Sequence, residues 1–252
     1  MKMVDTHVHV GLKNYVRVEE LLRRMNLIGI DKAVLVQYRA GMPPPGNTEN
    51  SYLYNCINDY SSKLVGVCLV DHRREDATEK LEYLVKKKGF QGIRLAGRDI
   101  SPGNNEIAIW EKASELGINV SVSGEITPVK DIAESLPDLK LHIEHVGMPN
   151  TNGDKILELA EYDNVYVKFS TGGLQGVSKE GYPYIDAQPF FRKVYEIFGS
   201  ERIMWGSDYP PVEGREGYRK ALEFIKEEID WLSSDDKEWI LGKTAMSLWS
   251  FN

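Results

Sequence analysis

The stretch from residue 118 to 146 reads INVSVSGEITPVKDIAESLPDLKLHIEHV. Its two ends, 118–123 and 139–146, are apolar and pass into polar residues or glycine, which predicts two strands. Its middle, 128–136, has the pattern of a helix. A strand, a helix and a second strand in this order predict a βαβ unit, which belongs to a parallel sheet.

The same alternation continues along the chain in both directions. Strands are predicted at 3–9, 32–38, 64–71, 91–96, 164–170 and 202–207, and helical patterns lie near 18–25, 78–88, 104–116, 153–162, 187–198, 215–230 and 235–250. Nearly continuous apolar strands are what a parallel sheet covered on both faces requires. A doubly wound open sheet would show a similar pattern, but eight units in 252 residues favour a closed barrel. We therefore expect one (β/α)8 TIM-barrel domain over residues 1–252.

Composition narrows the classes of function. The chain is 42% hydrophobic and 27% charged, as is usual for soluble globular domains. A net charge of −7 argues against general nucleic-acid binding, although a few arginines could still hold an anionic substrate. No stretch approaches the ~18 apolar residues of a membrane span. The N-terminal residues do not resemble a signal peptide, and two cysteines imply no disulfide framework. We expect a cytoplasmic protein.

Two of the five histidines form the segment His7-Val8-His9. Residues i and i+2 of a strand point to the same face, so the two imidazoles should project together near the end of the first strand. Neutral imidazole nitrogens are good ligands for zinc-like metals, and Asp5 could orient one of the rings. The alternative is a histidine pair that only forms hydrogen bonds within the barrel.

Asp208 and His145 are expected at the same end of the barrel. Asp208 ends the last strand, and the C-terminal ends of barrel strands are where active sites lie. Its alternative role is to cap the following turn. His145 ends strand six, whereas His142 should lie on the opposite face and pack among the surrounding helices. His72 follows strand three in a charged loop, which favours exposure to solvent.

These residues resemble a known family. The segments VDTHVH (4–9), IEHVG (143–147) and WGSDYP (205–210) look like the three signatures of the amidohydrolase-related (amidohydrolase 2) group of the amidohydrolase superfamily. Weaker matches are GIR (92–94), VYVKFS (165–170) and ILGKTA (240–245), so the resemblance covers the whole length. The group contains TIM-barrel lactonases and metal-dependent decarboxylases. The resemblance implies a divalent metal, expected to be zinc, with His7, His9, His145 and Asp208 as ligands.

One position departs from the family pattern. Metal-dependent members usually carry a histidine at the end of strand five, where this chain has Ser123. A serine hydroxyl is a poor substitute, which leaves His7, His9 and Asp208 with His145 as a fourth candidate. Three protein ligands and a water can form a catalytic site. The other reading is a lactonase that works without metal, as some members of the group do.

The expected reaction is hydrolysis of a lactone or similar cyclic ester, on a small molecule expected to carry carboxylates. The catalytic residues would be Asp208, as general base, and His145, which would polarise the carbonyl with the other histidines. Arg94 could bind a substrate carboxylate or form a structural salt bridge, and Tyr38 and Ser123 could line the substrate site. Related members with a binuclear centre normally carry a bridging lysine on strand four, and this chain has none there, so the resemblance disfavours such a centre.

Two other functions stay open. A metal-dependent decarboxylase of the same superfamily would use the same residues, and a barrel without activity could serve in binding or assembly. Loops at 41–46 and 172–184 should flank the mouth, with Arg39 as a weaker candidate ligand for substrate. Such barrels often form homodimers, and the sequence does not decide the oligomeric state.

Overall fold

The computed structural model describes residues 2–12, 15–38 and 49–252. The predicted loop at 41–46 and Arg39 lie outside these residues. Eight strands follow one another along the chain: β1 (Val4–Val8), β2 (Lys32–Val36), β3 (Leu64–Cys68), β4 (Gly92–Ala96), β5 (Asn119–Ser123), β6 (Leu141–Ile143), β7 (Val165–Phe169) and β8 (Ile203–Trp205). Each prediction of a strand is therefore matched by a strand that is somewhat shorter.

The strands form one parallel sheet in which spatial order equals chain order. The sheet closes between its first and last strands. His9 N–H donates to the Tyr209 carbonyl at 2.8 Å, and Asp208 N–H donates to the His7 carbonyl at 2.9 Å. This architecture confirms the predicted (β/α)8 barrel.

Helices connect the strands. They are α1 (Val18–Ile28), α2 (Glu49–Asp59), α3 (Ala77–Lys88), α4 (Ala108–Glu115), α5 (Val129–Ser135), α6 (Pro149–Asn152), α7 (Thr171–Gln175), α8 (Gln188–Phe198), α9 (Tyr218–Glu223), α10 (Ser234–Glu238) and α11 (Thr244–Leu248). A π-helical turn extends α9 through Phe224–Glu228, and another joins α10 to α11. No helix in the described part of the chain is long and apolar enough to cross a membrane.

Apolar side chains pack against both faces of the barrel sheet. The outer layer, between strands and helices, includes Ile93, Leu95, Val120 and Val122, all at or near 0% exposure. Inside the N-terminal end of the barrel, a smaller cluster is formed by Val4, Val34, Val36, Val65, Val67, Ala245 and Trp249. Full burial of such a side chain contributes about 1.5–3 kcal/mol, so these layers fix the frame on which the C-terminal ends of the strands stand.

The structure corrects the prediction for His142. Strand β6 ends at Ile143, and His145 lies beyond it in a left-handed conformation, with φ 53° and ψ 44°. The alternation of a strand therefore does not relate the two histidines. His142 is fully buried and contacts Tyr166 and Trp249, the latter a member of the cluster inside the barrel, rather than the surrounding helices.

Candidate active site

The junction of β1 and β8 brings Asp208 to the two histidines of the first strand. Asp208 has a φ of 62°, in the left-handed region that Asp and Asn enter more readily than most residues. Pairing with β2 is irregular between Asp5 and Val8, where β1 gains one residue. Asp5 accepts hydrogen bonds from the backbone N–H groups of His7 (3.1 Å) and Ser207 (2.9 Å). It thus holds the two chain segments together at this junction.

The three side chains converge on one point. Asp208 Oδ1 lies 3.5 Å from His9 Nε2 and 3.9 Å from His7 Nε2. The rings of His7 and His9 are 4.8 Å apart between centroids and nearly perpendicular. Both histidines are buried, and the Asp208 side chain is 14% exposed. The cluster is therefore buried at the C-terminal ends of the strands, with Asp208 as its member most open to solvent.

The hydrogen bond of His9 fixes its tautomer. Its Nδ1 lies 2.7 Å from the Val36 carbonyl, which can only accept, so Nδ1 carries the proton. In neutral His9 the Nε2 lone pair consequently faces the Asp208 carboxylate. Two acceptors that face each other at 3.5 Å need a proton or a cation between them.

His7 has unused hydrogen-bonding capacity. Neither ring nitrogen has a hydrogen-bond partner among the described residues, although both are buried. Nδ1 lies 3.9 Å from Glu144 Oε1, so the carboxylate that faces this imidazole belongs to Glu144 rather than to Asp5. Burial, followed by the charges of His145 and His9, lowers the pKa of His7 well below its usual value. His7 is therefore neutral near pH 7 and can act as a ligand.

His145 completes the cluster from the turn after β6. Its ring centroid is 4.8 Å from that of His7, and its Nδ1 lies 2.7 Å from the Ser170 hydroxyl. Burial lowers the pKa of His145, against the opposing charges of Asp208 and Glu144. A neutral imidazole held in this way can exchange a proton with a substrate or bind a metal.

The turn that holds His145 depends on a glycine of α7. A Cβ on Gly173 would lie 2.3 Å from the His145 carbonyl oxygen and 2.9 Å from its carbon. We expect Gly173→Ala to move His145, to lower the free energy of unfolding by about 1–3 kcal/mol and to reduce turnover. Urea unfolding and kinetics would measure both effects. Gly181→Ala is the matched control, since no atom of the described residues lies within 4 Å of its added methyl group. Equal behaviour of the two variants would contradict the prediction.

The donor set fits a divalent cation. His7, His9 and Asp208 each offer a ligand atom, and these atoms lie within 4.8 Å of one another. Ligands about 2.0–2.2 Å from a tetrahedral zinc ion stand roughly 3.3–3.6 Å apart, close to the distances found between Asp208 Oδ1 and the two imidazoles. The unpartnered nitrogens of His7 and the lone pair of His9 supply the chemistry that such an ion requires.

Beneath the histidines, the barrel holds a buried layer of charged side chains. Arg94 on β4 donates to both carboxylate oxygens of Glu144, at 2.9 and 2.6 Å, and to the Gln37 carbonyl. Ser121 on β5 donates to Glu144 at 2.7 Å and accepts from Lys168 on β7, also at 2.7 Å. Burial raises the pKa of Glu144, but the charges of Arg94 and Lys168 outweigh it and leave a value of about 2. Burial lowers the pKa of Lys168 to about 8.

Of the residues predicted to bind substrate, one is exposed and the others have hydrogen bonds within the barrel. Tyr38 is 42% exposed at the mouth and packs edge-on against Tyr15, which stacks on His9. Arg94 lies in the charged layer, in the salt bridge that was its structural alternative. The Ser123 hydroxyl donates to the Leu95 carbonyl at 3.4 Å. Their contacts with a substrate stay a prediction.

Two parts of the surroundings differ from expectation. His72 is 7% exposed rather than solvated, and its Nδ1 lies 3.4 Å from Asp99 Oδ2.

Arg215, which the sequence analysis did not single out, donates from Nη1 to Asp208 Oδ2 at 3.1 Å. Burial raises the pKa of Asp208, yet its contact with His9 and the charges of His145, His9 and Arg215 leave it below the usual value. Asp208 is therefore ionised at neutral pH.

Comparison with known proteins finds both sequence relatives and structures of similar fold. L-fucono-1,5-lactonase of Burkholderia ambifaria is 27% identical over 76% of this chain and 68% of the relative. D-galactarolactone isomerase of Agrobacterium fabrum is 24% identical over 92% of this chain and 85% of the relative. A zinc-bound amidohydrolase of Burkholderia multivorans superimposes with a TM-score of 0.78, at 17% identity, over 98% of this chain and 99% of the other, which shows a shared fold.

The family assignment follows from a match along nearly the full length. The sequence profile described as Amidohydrolase matches residues 4–251. This confirms the resemblance found in the three sequence signatures, and with it the expectation of a hydrolase. The family is one that typically uses a divalent metal, and the residues of this site could hold one. The chain belongs to the amidohydrolase family.

Proposed function

We propose that this protein hydrolyses the ester bond of a small-molecule lactone. The observation that carries the proposal is the Asp208 carboxylate, whose Oδ1 lies 3.5 Å from His9 Nε2 and 3.9 Å from His7 Nε2. An ionised carboxylate in that place can accept a proton from water next to groups that polarise a carbonyl. The names of the two relatives, a lactonase and a lactone isomerase, support a lactone as the substrate class.

The residues divide the reaction between them. Asp208 Oδ1 accepts a proton as water attacks the lactone carbonyl, and the ring oxygen leaves with a proton returned by the same carboxyl group. The product is the open hydroxy acid. In the tautomer whose Nδ1 accepts from the Ser170 hydroxyl at 2.7 Å, His145 Nε2 carries the proton and can donate a hydrogen bond to the carbonyl oxygen. Tyr15 and Tyr38 form an aromatic wall beside His9 against which a ring could lie.

We propose zinc as the ion, with His7, His9 and Asp208 as ligands and His145 as a fourth candidate. When bound, a divalent ion acts as a Lewis acid on a carbonyl and lowers the pKa of water. The zinc-bound structural relative supports this choice. Glu144, facing His7 Nδ1, would then orient a ligand imidazole from behind, as carboxylates commonly do in metal sites.

Whether the substrate carries a carboxylate depends on which arginines have donors left for it. Arg94 donates from Nε and Nη2 to Glu144, whereas Arg215 donates to Asp208 from Nη1 alone among the described residues. A substrate carboxylate at Arg94 would have to displace a bidentate partner that is itself fully buried. The contacts of Arg94 therefore support its structural role, and a carboxylate on the substrate stays a prediction that the lactone assay tests.

The test combines metal content with turnover. Protein purified without a metal-chelating column is analysed for bound elements and assayed on neutral and carboxylated lactones, with and without chelator. Near-stoichiometric zinc with chelator-sensitive turnover is the expected result. Absence of metal with chelator-insensitive turnover would refute the zinc proposal and keep the lactonase. Bound metal without lactone turnover would instead favour the decarboxylase, and neither metal nor turnover would favour an inactive barrel.

A further inference from the structure

We infer that Arg215 is a positioning residue that holds one oxygen of Asp208 and so directs the other toward the imidazole pair. This role rests on the proposed function, in which Asp208 acts on the attacking water. Arg215 lies seven residues after Asp208, beyond a short 3-10 turn (Pro211–Gly214). No motif in the sequence marks it.

The contacts of the carboxylate are divided cleanly between its two oxygens. Oδ2 accepts from Arg215 Nη1 at 3.1 Å, while Oδ1 lies 3.5 Å from His9 Nε2 and 3.9 Å from His7 Nε2. The Arg215 and Asp208 side chains are 12% and 14% exposed, so solvent screens the pair only weakly. A charge-assisted hydrogen bond of this kind restrains rotation of the carboxylate more strongly than a neutral one.

Arg215 is itself held on two further sides. Its Nε lies 3.7 Å from Glu216 Oε2, and that buried carboxylate accepts hydrogen bonds from Tyr184 at 2.7 Å and from the Thr171 hydroxyl. The backbone of α7 covers the guanidinium closely, since a Cβ on Gly172 would lie 3.2 Å from its Cζ. A guanidinium fixed between two carboxylates and a helix is preorganised to orient Asp208.

A competing role is direct binding of substrate. Arg215 Nε and Nη2 have no hydrogen-bond partner within the described part of the chain, so donors remain. The two roles differ in kinetics. Loss of an orienting contact lowers kcat with little change in KM, whereas loss of a ground-state contact with substrate raises KM.

The experiment compares Arg215→Ala and Arg215→Lys with the wild type in lactone hydrolysis. We expect kcat of the alanine variant to fall about 10²-fold with KM nearly unchanged, and guanidinium ion to restore part of it. The lysine variant should be intermediate, because it keeps the charge but lacks the planar fork. A rise in KM with kcat preserved, or a lysine variant no better than alanine, would overturn the inference.

A matched control and a second measurement separate this inference from the proposed function. Arg192→Ala removes an exposed arginine that pairs with Glu196 on α8, and it should leave both constants unchanged. Crystal structures of wild type and Arg215→Ala are compared for the direction of Asp208. Rotation of Oδ1 away from His7 and His9 is expected, and an unchanged carboxylate would overturn the inference. If the wild type opens no lactone, the proposed function fails, while this structural comparison still decides the role of Arg215.

Discussion

Replacing Asp208 with Asn is expected to lower kcat for lactone hydrolysis by about 10²–10⁴-fold while leaving the fold intact. An amide oxygen cannot take up the proton of the attacking water, although the side chain keeps its shape and its contact with Arg215. Asn also suits this position because Asp208 has a φ of 62°, and Asn enters the left-handed region readily. Steady-state kinetics and the far-ultraviolet circular dichroism spectrum together measure the effect.

The control for this substitution is Asp154→Asn. Asp154 is an exposed carboxylate that pairs with Lys193 at 3.0 Å on the outside of the barrel, so its loss should not alter turnover. If Asp208→Asn kept wild-type kcat with the fold preserved, Asp208 would not be the base. Loss of turnover with unchanged binding of the lactone would separate an enzyme from a barrel that only binds, because a binding module has no step for Asp208 to catalyse.

The barrel fold and the meeting of the site residues at one end of it could both be predicted from the sequence. Alternate residues of a strand point to the same face, and all strands of the barrel end on the same side. These two rules place His7, His9 and Asp208 together without knowledge of any loop. The distances from Asp208 Oδ1 to His9 Nε2 (3.5 Å) and to His7 Nε2 (3.9 Å) could not be predicted. They depend on the added residue in β1 and on the left-handed conformation of Asp208.

Where prediction was wrong, the cause lies in contacts distant in sequence. The apolar run of 139–146 predicts a strand to its end, yet β6 stops at Ile143 and Val146 takes a φ of 55°, which is unusual for a β-branched residue. The packing of α7 against His145 accompanies that turn. Helix α2 was missed because Asn, Ser and Tyr dominate its sequence, although Leu53, Cys56 and Ile57 have helical spacing and are buried.

The buried layer of charged side chains could also have been predicted from the sequence. Arg94, Glu144 and Lys168 each lie in or next to a strand predicted to be buried, and buried charges need partners. Two cations and one anion on the strands of one barrel imply pairing inside it. Register places Arg94 opposite Ser121, but it does not give the pairing of Arg94 with Glu144, because Glu144 lies beyond the end of β6.

The second large effect is expected for Arg94→Met, which should lower the free energy of unfolding by about 3–5 kcal/mol. The Glu144 side chain is 0% exposed and would lose both hydrogen bonds of the guanidinium, so a carboxylate would stay buried with Ser121 as its remaining close donor. Methionine has a similar length and no charge, which limits the cavity. Urea unfolding followed by tryptophan fluorescence measures the change.

Two further variants decide whether the uncompensated charge is the cause. Lys86→Met breaks an exposed pair with Glu82 on α3, where solvent screens both charges, and it should leave the unfolding midpoint unchanged. Arg94→Met combined with Glu144→Gln removes both charges of the buried pair and should recover much of the lost stability, because an amide costs far less to bury than a carboxylate. A double variant no more stable than Arg94→Met would assign the loss to packing instead. In that case Arg94 would stabilise the barrel through its volume, and the charge of Glu144 would be held by Lys168 and Ser121 without it.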